Sequence, residues 1–289
     1  MGRAELSRRP NFAEVSPEVG VIDEDALGRL AVEDLDAAVT LLADMVHATD
    51  EVLRDEARRL AARLVLDRVR HGRPTSTGLG RLRSVRAEEG ADLDVDASLD
   101  ALTDARAAGR HPDLRDLRAH AWARPELAVC LLVDTCGSMA GERLATASLA
   151  VAACGLRARE DYAVLAFAKS VTVVRDLQDS PRTEDVVDAT LALRGHGLTG
   201  LAGALDRAAE TLSRSRASRR VVVLLSDCRA TDGVDPVPAA AGLAELLVVA
   251  PEGDADDASA LAAAADARLA LVSRPSDVVE AVNDQLRTG

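Results

Sequence analysis

Apolar positions fall into two regimes along the chain. Leu35, Ala38, Val39, Leu42, Met45 and Val46 recur at helical spacing, as do Leu53, Ala57, Leu60, Ala61, Leu64, Val65 and Val69. Ala48-Thr49-Asp50 between them supplies a turn and an N-cap, so an αα-hairpin is predicted. His71-Gly72-Arg73-Pro74 ends it, the glycine-rich stretch through Gly80 reads as a loop or linker, and a third helix is expected over 97–108. From Leu117 the pattern changes. Short apolar runs at 128–133, 161–168, 171–177, 221–226, 244–250 and 268–273 read as strands. Alanine-rich helical patterns at 140–158, 183–193, 201–216, 255–266 and 276–286 separate most of them. Strands alternating with helices predict an α/β, doubly wound, mostly parallel sheet. Ala168-Lys169-Ser170 is too short for a crossover, so the strands on either side of it form an antiparallel hairpin, with one antiparallel edge strand. The expected layout is a polar, mobile tail over 1–20, a small N-terminal helical region over 21–112, and the α/β domain over 117–289.

Length agrees with this division, since 289 residues exceed one typical domain of about 100–200 residues. Aromatics make up only 1% of the chain, so the core must be built from Ala, Leu and Val. The net charge of −13 argues against nucleic-acid partners and against an anionic membrane surface, both of which call for clustered cations. No run approaches the roughly 18 apolar residues of a membrane span. Met1 to Pro10 lacks the apolar centre of a secretory signal. Cys130, Cys136, Cys154 and Cys228 show no CxxC or disulfide-framework spacing, so a cytoplasmic location is expected. Cys130 and Cys154 fall within a strand and a helix and read as small core residues.

The candidate chemistry comes from three separated segments. Asp134-Thr135-Cys136-Gly137-Ser138 follows the strand 128–133; Thr199 sits in the loop Gly195-His196-Gly197-Leu198-Thr199-Gly200; Asp227 directly follows the strand 221–226. In an open α/β sheet wound from its middle, the 128 and 221 strands are neighbours and their ends face one crevice. Two carboxylates and two hydroxyls then surround one point, near a helix N-terminus. Hard oxygen donors of this kind suit Mg²⁺ or Mn²⁺ held together with water.

Residues 125–289 resemble a von Willebrand factor type A (VWA) domain, whose sheet is Rossmann-like. The resemblance rests on Asp134, Ser138, Thr199 and Asp227, on Gly137-Ser138-Met139, and on the strand order. It implies a metal-ion-dependent adhesion site (MIDAS), written Asp-x-Ser-x-Ser with a loop Thr and a later Asp. Asp134, Cys136, Ser138, Thr199 and Asp227 would then surround Mg²⁺ or Mn²⁺, and a partner's Asp or Glu would fill the open position. The whole chain is similar to bacterial cytosolic VWA proteins associated with MoxR-type AAA+ ATPases, with CoxE-like proteins and the D subunit of magnesium chelatase among the relatives. The resemblance thus implies a non-enzymatic adaptor, working with such an ATPase or its client in protein remodelling or in metal or cofactor insertion. The departure is Cys136, where the motif has its first serine. A neutral thiol is a poor ligand for Mg²⁺, whereas a thiolate favours Zn²⁺. A metal-free interaction module of the same shape is therefore the alternative.

Other motifs reduce to plainer readings. Gly195 to Gly200 spells GxGxxG, but a helix precedes it where a dinucleotide site needs a strand, so its glycines are read as turn formers. A haloacid-dehalogenase-like phosphohydrolase with Asp134 as nucleophile needs an acid two residues on, where Cys136 stands. It also needs a cation near the phosphate, and the single lysine, Lys169, lies in the hairpin turn. No GxxxxGK[ST] occurs, so ATP-driven work falls to a partner. Acids in Glu252 to Asp257 suit a helix start.

Overall fold

The structure, a computed structural model, describes residues 1–71, 81–89, 92–123, 127–136, 141–158, 161–177, 179–195 and 197–287. They form two compact units, one of residues 1–74 with 127–289 and one of residues 75–126.

The first unit begins with five helices: α1 (Arg3–Leu6), α2 (Phe12–Val15), α3 (Glu24–Glu33), α4 (Leu35–Met45) and α5 (Glu51–His71). Short acidic side chains start three of them. Asp23 accepts the N–H groups of Asp25 and Ala26, Asp34 that of Ala37, and Asp50 those of Val52 and Leu53, satisfying donors that a helix start leaves open. The predicted hairpin is α4–α5. Residues 1–20 carry α1 and α2, and Leu6, Phe12 and Val15 are buried in the same core as α4 and α5. A few apolar side chains in a polar stretch find a partner surface there that the local sequence does not announce.

The second unit holds β1 (Arg81–Arg86), β2 (Asp92–Leu93), α6 (Val95–Ala107) and β3 (Arg118–Ala123). β3 pairs antiparallel with both β1 and β2. Asp94 caps α6 through the Ala97 N–H, and Ser98 ties the helix to β3 by accepting the Arg118 N–H at 2.8 Å. The helix expected over 97–108 is α6, and it groups with these strands.

The remainder of the first unit is the α/β domain. Its strands are β4 (Leu127–Asp134), β5 (Tyr162–Phe167), β6 (Val171–Arg175), β7 (Arg219–Leu225), β8 (Leu246–Pro251) and β9 (Arg268–Val272). Their order is β6-β5-β4-β7-β8-β9, parallel except for the antiparallel β5–β6 edge pair. The expected sheet is therefore present, including the neighbouring β4 and β7. β4 and β5 are buried on both faces, which is why they read as unbroken apolar runs. Val129, Leu131, Val133, Val221 and Val223 face α7 (Glu142–Arg157), α8 (Thr183–Leu191) and α12 (Asp277–Arg287). Cys130, Leu132, Phe167, Val222 and Leu224 face α9 (Leu201–Ser213), α10 (Val237–Ala241) and α11 (Asp256–Ala264). Cys130 and Cys154 are fully buried, as expected of core residues.

Helices α4 and α5 pack over α7 and α8, so the N-terminal helices join the sheet's core. Two buried carboxylates on α4 mark the contact. Asp36 accepts both the N–H and the hydroxyl of Ser276, each at 2.8 Å, just ahead of α12. Asp44 pairs with Arg9 at 2.8 Å and accepts the backbone N–H of Gly141, the residue that opens α7. One acidic helix thus caps the two helices that flank the ends of β4, β7, β8 and β9. No described helix is long and apolar enough to cross a membrane.

Candidate functional site

Strand register decides where the candidate residues come out. Val133 lies beside Leu225 and Asp134 beside Phe167, so the ends of β4, β5 and β7 leave the sheet at one edge. Asp134 is held there on both oxygens. Its Oδ1 accepts the Cys136 N–H at 2.8 Å and its Oδ2 accepts the Ser226 hydroxyl at 2.5 Å. Ser226 Oγ in turn accepts the Cys228 N–H at 2.9 Å, which locks the turn after β7. Cys228 sits at φ +64°, a left-handed conformation that is uncommon for a residue with a Cβ. Asp227 accepts the Arg229 N–H at 3.0 Å, and its second oxygen lies 4.0 Å from the Arg143 guanidinium. Thr135 turns away from the rim: its N–H and hydroxyl both donate to Phe167 O at 2.8 Å.

Thr199 arrives on the loop between α8 and α9. The Gly200 N–H donates to Ala168 O at 2.8 Å, pinning the loop to the β5–β6 turn. A Cβ at Gly200 would stand 3.1 Å from Lys169 O and 3.3 Å from Ala168 O, so any larger residue would crowd this approach. Gly197 adopts φ +92°, so this segment turns on glycine as its sequence predicts. The Thr199 N–H donates to Thr231 Oγ1 at 2.8 Å, and the Thr231 N–H donates to Thr199 O at 3.1 Å. Thr199 is 4% exposed. Its hydroxyl hydrogen-bonds the Cys136 thiol, which also donates to Leu198 O at 3.3 Å.

Asp134, Cys136, Thr199 and Asp227 therefore meet on one rim, while Ser138 and His196 lie outside the described residues. Burial pushes the Cys136 thiol up to about 11, and the charges of Asp134 and Asp227 push the same way against the Thr199 hydrogen bond. Cys228 is pushed up to about 12, chiefly by burial and then by Asp227 and Asp134. Both thiols keep their protons at neutral pH. The oxygen donors of Asp134, Thr199 and Asp227 fit Mg²⁺ or Mn²⁺, with water completing the shell, whereas a protonated sulfur does not. Among the described residues no group of three or more His, Cys, Asp or Glu could hold a metal, so a site here depends on hydroxyl donors. Sequence reasoning missed Ser226 and Thr231, the hydroxyls that hold the rim in place. Ser226 is adjacent to Asp227 but reads as the last residue of a strand.

Residues 129–230 match the family model described as the von Willebrand factor type A domain, and the six-stranded sheet is of that kind. Members of this family are typically non-catalytic protein-interaction modules. No curated protein matches the sequence. Among solved structures, a von Willebrand factor type A protein from Catenulispora acidiphila is 16% identical, with 58% of this chain and 43% of that one covered and a TM-score of 0.44. An aerotolerance-related membrane protein from Bacteroides fragilis is 17% identical over 56% of this chain and 100% of that one, with a TM-score of 0.43. The PilB minor pilin from Streptococcus sanguinis is 11% identical, covering 58% of this chain and 62% of that one, with a TM-score of 0.45.

Proposed function

We propose that this chain is a non-enzymatic protein-interaction module that grips a partner's carboxylate through a divalent cation, Mg²⁺ or Mn²⁺, on the rim of Asp134, Thr199 and Asp227, with Ser138 completing the set. The observation that carries this reading is the convergence of three distant segments on one edge of the sheet, fixed by Ser226, Thr231 and Gly200. The cation would supply the positive charge the chain lacks: at −13 it repels an acidic partner unless an ion stands between them. The finer identity of the partner, a MoxR-type AAA+ ATPase or the client it remodels, rests on the resemblance of the motif alone. A cytoplasmic setting belongs to the same proposal and is supported by four free cysteines.

One observation favours a second reading, a metal-free module of the same shape. The Cys136 thiol is protonated and donates to Leu198 O, which occupies it within the loop. An affinity pull-down from the native cytosol, run in parallel with Mg²⁺ and with EDTA, separates the two. A partner recovered only with Mg²⁺ supports the cation bridge; the same partner recovered in both makes the rim architecture alone.

A further inference from the structure

One cationic side chain of the protein faces the rim. Arg143, in the first turn of α7, places its Nη2 4.0 Å from Asp227 Oδ2, and its Nη1 donates to Cys136 O at 3.5 Å. It thus bridges the turns that follow β7 and β4, the two segments that carry Asp227 and Asp134. Among the described residues no other side-chain cation pairs with a rim carboxylate. Arg229 pairs with Asp254 and Asp257, and Arg274 with Asp36.

Its own helix does not account for a cation at this position. The start of a helix favours acids, and a positive charge there opposes the dipole; α7 nevertheless opens with Glu142 and then Arg143. Stability does not account for it either, because the Arg143 side chain is 51% exposed and such pairs contribute little. The acids it faces do. The charges of Asp134 and Asp227 both act on the Cys136 thiol, so the two carboxylates share one small region and repel each other there. The guanidinium offsets that repulsion when no ion stands between them. It is also free to leave. Arg143 lines a cavity of about 330 Å³ beside the rim, together with Glu142, Thr146 and Arg274, so the side chain can move without unpacking the core.

We propose that Arg143 competes with the divalent cation for Asp227. Without the ion, the guanidinium faces Asp227 and ties it to the Cys136 turn. A divalent cation displaces it into the cavity when it takes Asp227 as a ligand. Arg143 therefore sets the cation concentration at which the rim loads. This proposal deepens the reading of the rim as a Mg²⁺ or Mn²⁺ site and rests on it.

The test measures Mn²⁺ affinity of the full chain at low and high ionic strength, from the paramagnetic signal of the free ion. Wild type is compared with Arg143→Gln, Arg143→Lys and Arg274→Gln. Arg143→Gln should bind Mn²⁺ about three- to tenfold more tightly at low ionic strength, because a positive charge beside the ion is gone. The gain should shrink in high salt, since the guanidinium is half-exposed and screened. Arg143→Lys keeps the charge and should stay close to wild type. Arg274→Gln removes the same charge from the same cavity, but from a guanidinium that faces Asp36, and should gain much less. Equal affinities for wild type and Arg143→Gln overturn the proposal. So does an Arg143→Lys protein that binds as tightly as Arg143→Gln, or an equal gain in Arg274→Gln, which reduces the effect to net charge. If none of the four proteins binds Mn²⁺, the cation reading fails and the competition goes with it. If all four bind it equally, that reading stands and the competition alone is lost.

Discussion

Replacing Asp36 with alanine tests whether the N-terminal helices are part of the sheet domain's stability. The Asp36 carboxylate is buried on α4 and accepts two hydrogen bonds from Ser276, at 2.8 Å each, ahead of α12. A hydrogen bond to a charged group contributes about 1.5–3 kcal/mol. The Arg274 contact at 3.5 Å adds little, since the arginine side chain is 68% exposed. Asp36→Ala removes both acceptors and leaves a buried N–H without its carboxylate, although Ser276 is close enough to the surface for water to recover part of the loss. A net cost of about 3 kcal/mol is expected. For a unit of this size, roughly 2–4 °C per kcal/mol translates this into a fall in Tm of about 6–12 °C. Asp36→Asn, which keeps one acceptor, should fall less. Scanning calorimetry with parallel urea unfolding checks both variants. A shift in Tm below about 1 °C, or an Asp36→Ala protein that matches wild type in urea, refutes the argument that α4 braces α12.

Three further outcomes are expected. Cys136→Ser should raise Mg²⁺ affinity in calorimetry, because it exchanges a protonated sulfur for a hard oxygen; equal affinities would show that the thiol is not the weak ligand. Gly155→Ala should destabilise by about 1–3 kcal/mol, read by urea unfolding, because overpacking is costly. An added Cβ there would stand 2.9 Å from Thr183 Cγ2 and 3.0 Å from the Tyr162 hydroxyl, and an unchanged midpoint would mean α8 shifts freely. Burial raises the Asp44 carboxyl above its ordinary 3.8, so its charged form costs stability at neutral pH and that cost is relieved as pH falls through the raised value. The Tm difference between wild type and Asp44→Asn should therefore move in favour of wild type as the pH falls from neutral towards the ordinary carboxylate value, and a difference that stays flat contradicts it.

Most of the α/β domain was legible because both faces of its central strands are covered. Ala128 to Val133 and Val221 to Leu225 are continuous apolar runs, and alternation with amphipathic helices then gives a parallel sheet. The short Ala168-Lys169-Ser170 link was enough to specify the antiparallel edge pair. The second unit was hidden for the opposite reason. Arg81–Arg86 reads Arg-Leu-Arg-Ser-Val-Arg, whose two apolar residues stand three apart and give no strand alternation, and β2 is two residues long. In residues 1–20, Leu6, Phe12 and Val15 are too sparse to show a period, and only their burial against distant helices gives them order. At the rim, Asp134, Thr199 and Asp227 were legible from their positions after strands and before a helix. The inward turn of the Cys136 thiol, and the hydroxyls of Ser226 and Thr231 that hold the loops, depend on tertiary contacts that no local pattern encodes.

The central claim is that the rim holds a divalent cation, and titration of Mn²⁺ into the metal-free full chain tests it most directly. The paramagnetic signal of free Mn²⁺ reports the bound fraction. The account predicts one bound ion per chain, displaced by Mg²⁺ and lost in Asp227→Asn. A free-ion signal that rises from the first addition, or binding that is equal in the variant, would contradict it.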